Sequence, residues 1–235
     1  MNARFVQQGC LVFSAWGGRV RAAARVWVGV AACLLGGLLT AAPAPAAAPA
    51  AHTTTYLPAD GSKLVIDGTS TLHDWSAKST VMQGSVKTTG SFTAGGTPGI
   101  AAIKLVLPVV DLKSSEGSGM DSTMYDALHK DRHPAIRYTL KTATLKTSPT
   151  AAGGAYTFDT TGMLRVNGVN KVVPLTLRVT VLPNGGLQLA VKTALKMTDY
   201  KVDPPTAMLG IIRSGNTITV HATWNLAPVK VKAKP

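Results

Sequence analysis

Val173–Lys196 reads VPLTLRVTVLPNGGLQLAVKTALK, and each half of it alternates with a period of two. Val173, Leu175, Leu177, Val179 and Val181 share one parity, with Thr176, Arg178 and Thr180 on the other. After Asn184-Gly185-Gly186 the alternation resumes, with Leu187, Leu189, Val191 and Leu195 set against Gln188, Lys192 and Lys196. Successive side chains of a strand point to opposite faces, so this pattern makes two half-buried strands joined by a glycine-rich turn. One dry face and one wet face belong to an antiparallel sheet, not to βαβ units.

The same reading extends along the chain. Leu64 and Ile66 alternate with Val65 and Asp67, and Ile103, Leu105 and Leu107 alternate with Lys104 and Val106. Tyr156, Phe158, Leu164 and Val166 share a parity, as do Ile218, Val220, Ala222, Trp224 and Leu226. Asn167-Gly168 reads as a second tight hairpin turn. No internal repeat is present. About eight strands of this length curl and close to remove their edges, so the fold class is all-β: a single antiparallel up-and-down barrel, with a sandwich as the alternative.

One segment departs from the strand pattern. Met120–Tyr138, MDSTMYDALHKDRHPAIRY, places Met120, Met124 and Leu128 at helical spacing, then passes a charged elbow and Pro134 into a strand. Asp121 or Ser122 is the candidate N-cap. A lone apolar helix in a β-protein reads as a lid on an apolar cavity, and the preceding Ser114–Gly119 loop as its flexible entrance. The methionines suit either ordinary core or an adaptable lining. Asp203-Pro204-Pro205 interrupts the last strands and is expected to close one barrel end.

The first residues read as targeting sequence. Arg19, Arg21 and Arg25 precede an apolar run, Val26–Leu39, which is shorter than a spanning helix needs. Residues 1–46 are expected to be a signal peptide cleaved after Ala44-Pro45-Ala46, followed by an Ala/Pro/Thr linker (47–54), a barrel domain (55–227) and a basic tail (228–235). A lipoprotein box at Val30-Ala31-Ala32-Cys33 is the rival reading, but apolar residues continue past the cysteine. The chain is therefore expected to be periplasmic or secreted. Cys10 and Cys33 both lie in the leader, so the domain carries no disulfide, thiol nucleophile or thiolate metal site.

The formal charge of +13 falls by four, to +9, without Arg4, Arg19, Arg21 and Arg25. The remaining cations are spread along strands without interleaved aromatics, and only Lys230, Lys232 and Lys234 cluster. That distribution argues against nucleic acid and fits a solvated outer face, or a weak contact with an anionic membrane surface. Oligomeric state is not legible.

Motifs for chemistry are sparse. His129 and His133 have the i, i+4 spacing of metal ligands, but Pro134 ends the helix and no third ligand follows. His73-Asp74 could form an acid/base pair, yet Ser70 and Ser76 lie in no nucleophile turn. The simpler reading has Asp74 orienting His73 while Trp75 packs inward with its N–H partnered. No catalytic residue, metal or cofactor is expected, and the protein reads as a binder, not an enzyme. If the barrel is hollow, its apolar parity selects a lipid. Each buried methylene contributes about 0.8 kcal/mol, against roughly 4–15 kcal/mol lost on association, so only a long chain, on the order of twenty carbons or more, binds usefully. A filled barrel, serving as a structural or interaction module of the envelope without ligand, is the alternative.

The order of motifs is itself informative. Gly68–Trp75 (GTSTLHDW) is followed by Leu107–Ser114 (LPVVDLKS), the helix from Met120, His133-Pro134-Ala135-Ile136, Gly162-Met163-Leu164 with Asn167–Lys171, and Pro204–Met208 (PPTAM). This ordered set resembles the YceI-like family of exported lipid- and polyisoprenoid-binding proteins over about residues 54–227. The resemblance implies a lipocalin-like barrel with one short helix near its mouth. It also implies a polyisoprenoid, quinone-like or fatty-acyl amphiphile in the bore, with Met120, Met124, Leu128, Ile136 and Tyr138 facing it. Phe158 and Leu164 join this set by inward parity, and Trp75 by its expected packing. His73, Arg137 and Asp74 are candidates for the polar end. Many members carry an Asp-x-x-His-Ser segment where this chain has Thr71-Leu72-His73-Asp74-Trp75, so the head-group contacts do not carry over.

Overall fold

The computed structural model describes residues 53–151, 153–207 and 211–229. The expected leader, the linker up to His52, the tail lysines and Met208–Gly210 lie outside the described residues. Strands are β1 (Thr53–Pro58), β2 (Lys63–Ser70), β3 (Trp75–Ser79), β4 (Gln83–Thr89), β5 (Gly99–Pro108), β6 (Lys113–Ser114), β7 (Ala135–Thr147), β8 (Ala155–Val166), β9 (Val169–Val181), β10 (Leu187–Lys196), β11 (Thr206–Ala207) and β12 (Ile212–Pro228). The single α-helix among the described residues is α1 (Ser118–Ala127). Thr53 and Thr54 already belong to β1, and Pro228 ends β12, so strand pairing claims residues that composition assigned to the linker and the tail.

All pairings are antiparallel, and the ring closes because β1 pairs with both β4 and β12. Along β12, β2 occupies the stretch Ser214–Thr223 and β1 the stretch Leu226–Pro228, so β1 and β2 are one interrupted stave. In the same way β3 and β4 pair with β2 and β1, and β6 and β5 pair with β3 and β4. With β7, β8, β9, β10 and β12 this makes an eight-stave up-and-down barrel with neighbours in chain order. The short turns explain that order. Asn167 and Gly168 both hold positive φ (47° and 75°), the geometry a two-residue hairpin between right-twisted strands requires.

The alternation seen in sequence sets which side chains enter the barrel, but the two halves differ. The end carrying the described chain ends and loop 90–98 is filled by Tyr56, Val86, Ile100, Tyr156, Phe158, Val179, Leu187 and Leu226, all buried. Phe92 folds in beneath them from its loop, edge-on to Tyr156 at 5.1 Å and tilted against Phe158 at 6.5 Å. The Tyr156 hydroxyl donates to Thr93 O, which ties that loop across the end of the bore.

The opposite end carries the 71–74 turn, α1, the Asn167-Gly168 turn and the segment from Met197 to β11. The helix is not capped by Asp121 or Ser122. It starts one turn earlier, with Gly117 at the N-cap position (φ 88°) and no side-chain cap. Asp121 instead accepts a hydrogen bond from Ser114 N at 2.6 Å, which ties the helix to β6.

Candidate functional site

Between the filled floor and α1 lies a cavity of about 240 Å³ whose wall is almost entirely hydrocarbon. Its inner part is built by Met82, Leu177, Leu189 and Trp224, its middle by Ile66, Leu105, Tyr138, Leu164 and Val220, and its roof by Met120, Met124, Ala127 and Leu128. An apolar void of this size excludes water, because water would find no polar partners there. The helix has no fully buried residue, yet its half-buried methionines cover the opening.

Seven of the ten residues named from sequence meet on this wall: Trp75, Met120, Met124, Leu128, Ile136, Tyr138 and Leu164. Three do not. Phe158 is 1% exposed within the filled floor, because its stave continues below the cavity. Arg137 lies on the outer face, opposite in parity to Ile136 and Tyr138, and is exposed. His73 sits at the rim with its side chain 51% exposed, its Nε2 3.6 Å from a Glu116 carboxylate oxygen. Its Nδ1 lies 2.9 Å from the backbone oxygen of Asp74, so the Asp74 carboxylate does not orient it. Trp75 behaves as expected: its Nε1 donates to Thr69 O at 3.1 Å, and its ring lies over Gly68, where a Cβ would collide with it.

Glycine has a second such use on this wall. The Tyr138 ring lies against Gly162 of β8, in the space a Cβ would need. Burial pushes the Tyr138 phenol pKa up, and the adjacent Thr160 side chain opposes the shift. The Tyr138 hydroxyl is nevertheless buried without a hydrogen-bond partner, while Thr160 Oγ1 donates to Leu175 O at 2.9 Å.

Two further elements close the mouth and were not read from sequence. A 3-10 turn, Met197–Tyr200, buries Met197 and Tyr200 beside Val202, and all three line the cavity. Asn167 holds this turn to the helix side: its Nδ2 donates to Lys201 O (2.8 Å) and Tyr200 O (3.3 Å), and its Oδ1 lies 2.8 Å from His129 Nδ1. The His133 ring packs against Gly168. The two histidines with metal-ligand spacing are thus engaged with the turn between β8 and β9.

The other closure is a latch on α1. Tyr125 accepts a hydrogen bond from Lys113 Nζ (2.8 Å) and shares its proton between Val110 O and Leu112 O, each at 2.8 Å. The bond to Tyr125 is the main reason the Lys113 pKa is raised. Lys113 also pairs with Asp121 at 3.6 Å, and Gly117, with open space around it, precedes the helix. Asp121→Ala should free Ser114 N and loosen the lid. The expected loss in global stability is modest, about 1–2 kcal/mol in urea unfolding. Amide exchange at Ser114 and along α1 should accelerate well beyond what that loss accounts for. Unchanged protection there would show that the latch does not hold the helix.

Comparison with known proteins agrees with this architecture. The YceI-like domain model matches residues 60–226. A polyisoprenoid-binding domain from Saccharophagus degradans, described as implicated in plant cell wall breakdown, is 18% identical, with TM-score 0.55, covering 74% of this chain and 98% of its own. BcnA of Burkholderia cenocepacia is 12% identical, with TM-score 0.49 and coverages of 71% and 96%. No curated protein sequence matches significantly. A family match over most of the barrel, on the topology and motif order described above, settles the membership: the chain belongs to the YceI-like family.

Proposed function

We propose that this protein is an exported carrier that shelters one long apolar chain inside its barrel. The observation that carries the reading is the hydrocarbon-walled cavity under a helix whose two methionines and Ala127 form its roof. Family membership and the polyisoprenoid-binding domain from Saccharophagus degradans support a lipid of the polyisoprenoid, quinone-like or fatty-acyl kind. The leader-like first residues support a periplasmic or secreted location. We read the role as binding without catalysis: the rim groups His73 and Lys113 lie in ordinary ion pairs with Glu116 and Asp121.

The mouth is also where the protein would meet a bilayer. Leu72 (66% exposed) and Ile211 (74% exposed) project there from neighbouring loops joined by a Thr71 Oγ1–Ile211 O hydrogen bond of 3.2 Å. Exposed apolar tips on a cationic protein suit a weak, reversible contact with an anionic membrane surface.

Native mass spectrometry of the mature protein, purified without detergent from a bacterium that exports it, tests the carrier reading. A retained mass that extracts into organic solvent as a single-chain lipid is the expected result. A clean apo mass, with no uptake of added long-chain lipid, would favour an envelope module without ligand.

A further inference from the structure

Among the described residues, the cavity wall holds one charged residue, Lys196. It is the last residue of β10, opposite Thr217 of β12, where the strand turns into the 3-10 turn that helps close the mouth. Its strand parity is outward, opposite to Leu195, and its side chain is exposed, so it reaches the wall only at the rim. A lysine in this position lays its methylenes on apolar surface and keeps its ammonium in water. No carboxylate of the described residues forms an ion pair with it; the nearest in sequence, Asp199, is held by Lys171 at 3.2 Å.

The rest of the wall makes that position informative. Thr160 Oγ1 donates to Leu175 O, the Tyr138 hydroxyl and Trp224 Nε1 are buried without partners, and Ser114, Thr193, Tyr200 and Ser214 are the remaining hydroxyl residues of an otherwise hydrocarbon wall. An anionic head drawn deep into this bore would lose its water and meet no counter-charge beyond Lys196 at the rim, at a cost of several kcal/mol. Only the tail can occupy it, and the head must stop at the rim.

We infer that Lys196 is a specificity-determining residue, selecting single-chain amphiphiles with an anionic head, a carboxylate or a phosphate monoester, bound tail first. This rests on the carrier reading and narrows it, since a neutral quinone head would gain nothing from the ammonium.

The test compares four probes on the mature protein by intrinsic tryptophan fluorescence and native mass spectrometry: octadecenoic acid, octadecenyl monophosphate, octadecenol and the hydrocarbon squalene. The acid or the monophosphate should bind about fivefold tighter than the alcohol, the upper end for a partly solvated ion pair. Lys196→Met keeps the stem and removes the charge, and it should erase that advantage while leaving octadecenol and squalene unchanged. Whichever anion shows the larger Lys196-dependent gain identifies the head. Equal binding of acid, monophosphate and alcohol, unchanged in Lys196→Met, would overturn the inference and leave the carrier standing. Failure of all four probes, squalene included, would remove the carrier reading and this one with it.

Discussion

Ala222→Phe is expected to abolish lipid retention while the barrel stays folded. Ala222 lines the cavity from β12, between Val191 of β10 and Leu64 of β2, and is only half-buried because it faces the void. A phenyl ring at this position projects into empty apolar space, so it fills volume without displacing packed neighbours. Overpacking normally costs about 1–3 kcal/mol, but a ring that enters a void recovers buried area instead, so the melting temperature should hold or rise. Lipid uptake should fall by at least tenfold, since the ring and a guest compete for one space. A charged substitution in the roof, such as Met124→Lys, is a poorer test because a long lysine there can extend its ammonium past the rim. Unimpaired uptake by Ala222→Phe would mean that the guest does not sit in this cavity.

The second large effect lies in the floor. Phe158 is 1% exposed, touches Phe92 and shares the filled end with Tyr156. Removing it should cost about 3–5 kcal/mol, the range for deleting a buried aromatic. The consequence for binding separates floor from wall. Phe158→Ala leaves every roof and wall residue in place and deepens the bore, so the variant should retain guests as well as the parent and accept longer ones. Urea unfolding measures the first part, and native mass spectrometry against a series of chain lengths the second. A loss of uptake in folded protein would show instead that Phe158 touches the guest.

These two residues also show how far sequence reading reaches. Phe158 and Leu164 lie on one strand with one parity, and alternation correctly turns both inward. Alternation has no coordinate along the barrel axis, so it cannot say that one lies in the floor and the other on the cavity wall. That division depends on Phe92 folding in from a loop whose sequence shows no regular pattern. The helix roof was legible because Met120, Met124 and Leu128 repeat at helical spacing. The 3-10 turn at Met197–Tyr200 was not, because three or four residues carry no period. Arg137 is a candidate for the polar end by its residue type, although its parity, opposite to Ile136 and Tyr138, already places it outside. Asp121 looked like a cap because its residue type favours one, but the nearby Ser114 N–H claimed its carboxylate.

The stopper of aromatic rings at the far end makes the pore a cul-de-sac. On the carrier reading, a guest that enters under the helix has no back door and leaves by reversing its path. For a carrier, loading and delivery then happen at the same doorway. A donor and an acceptor cannot be engaged together, and each transfer becomes two successive visits by a protein that lets go of one partner before it meets the next.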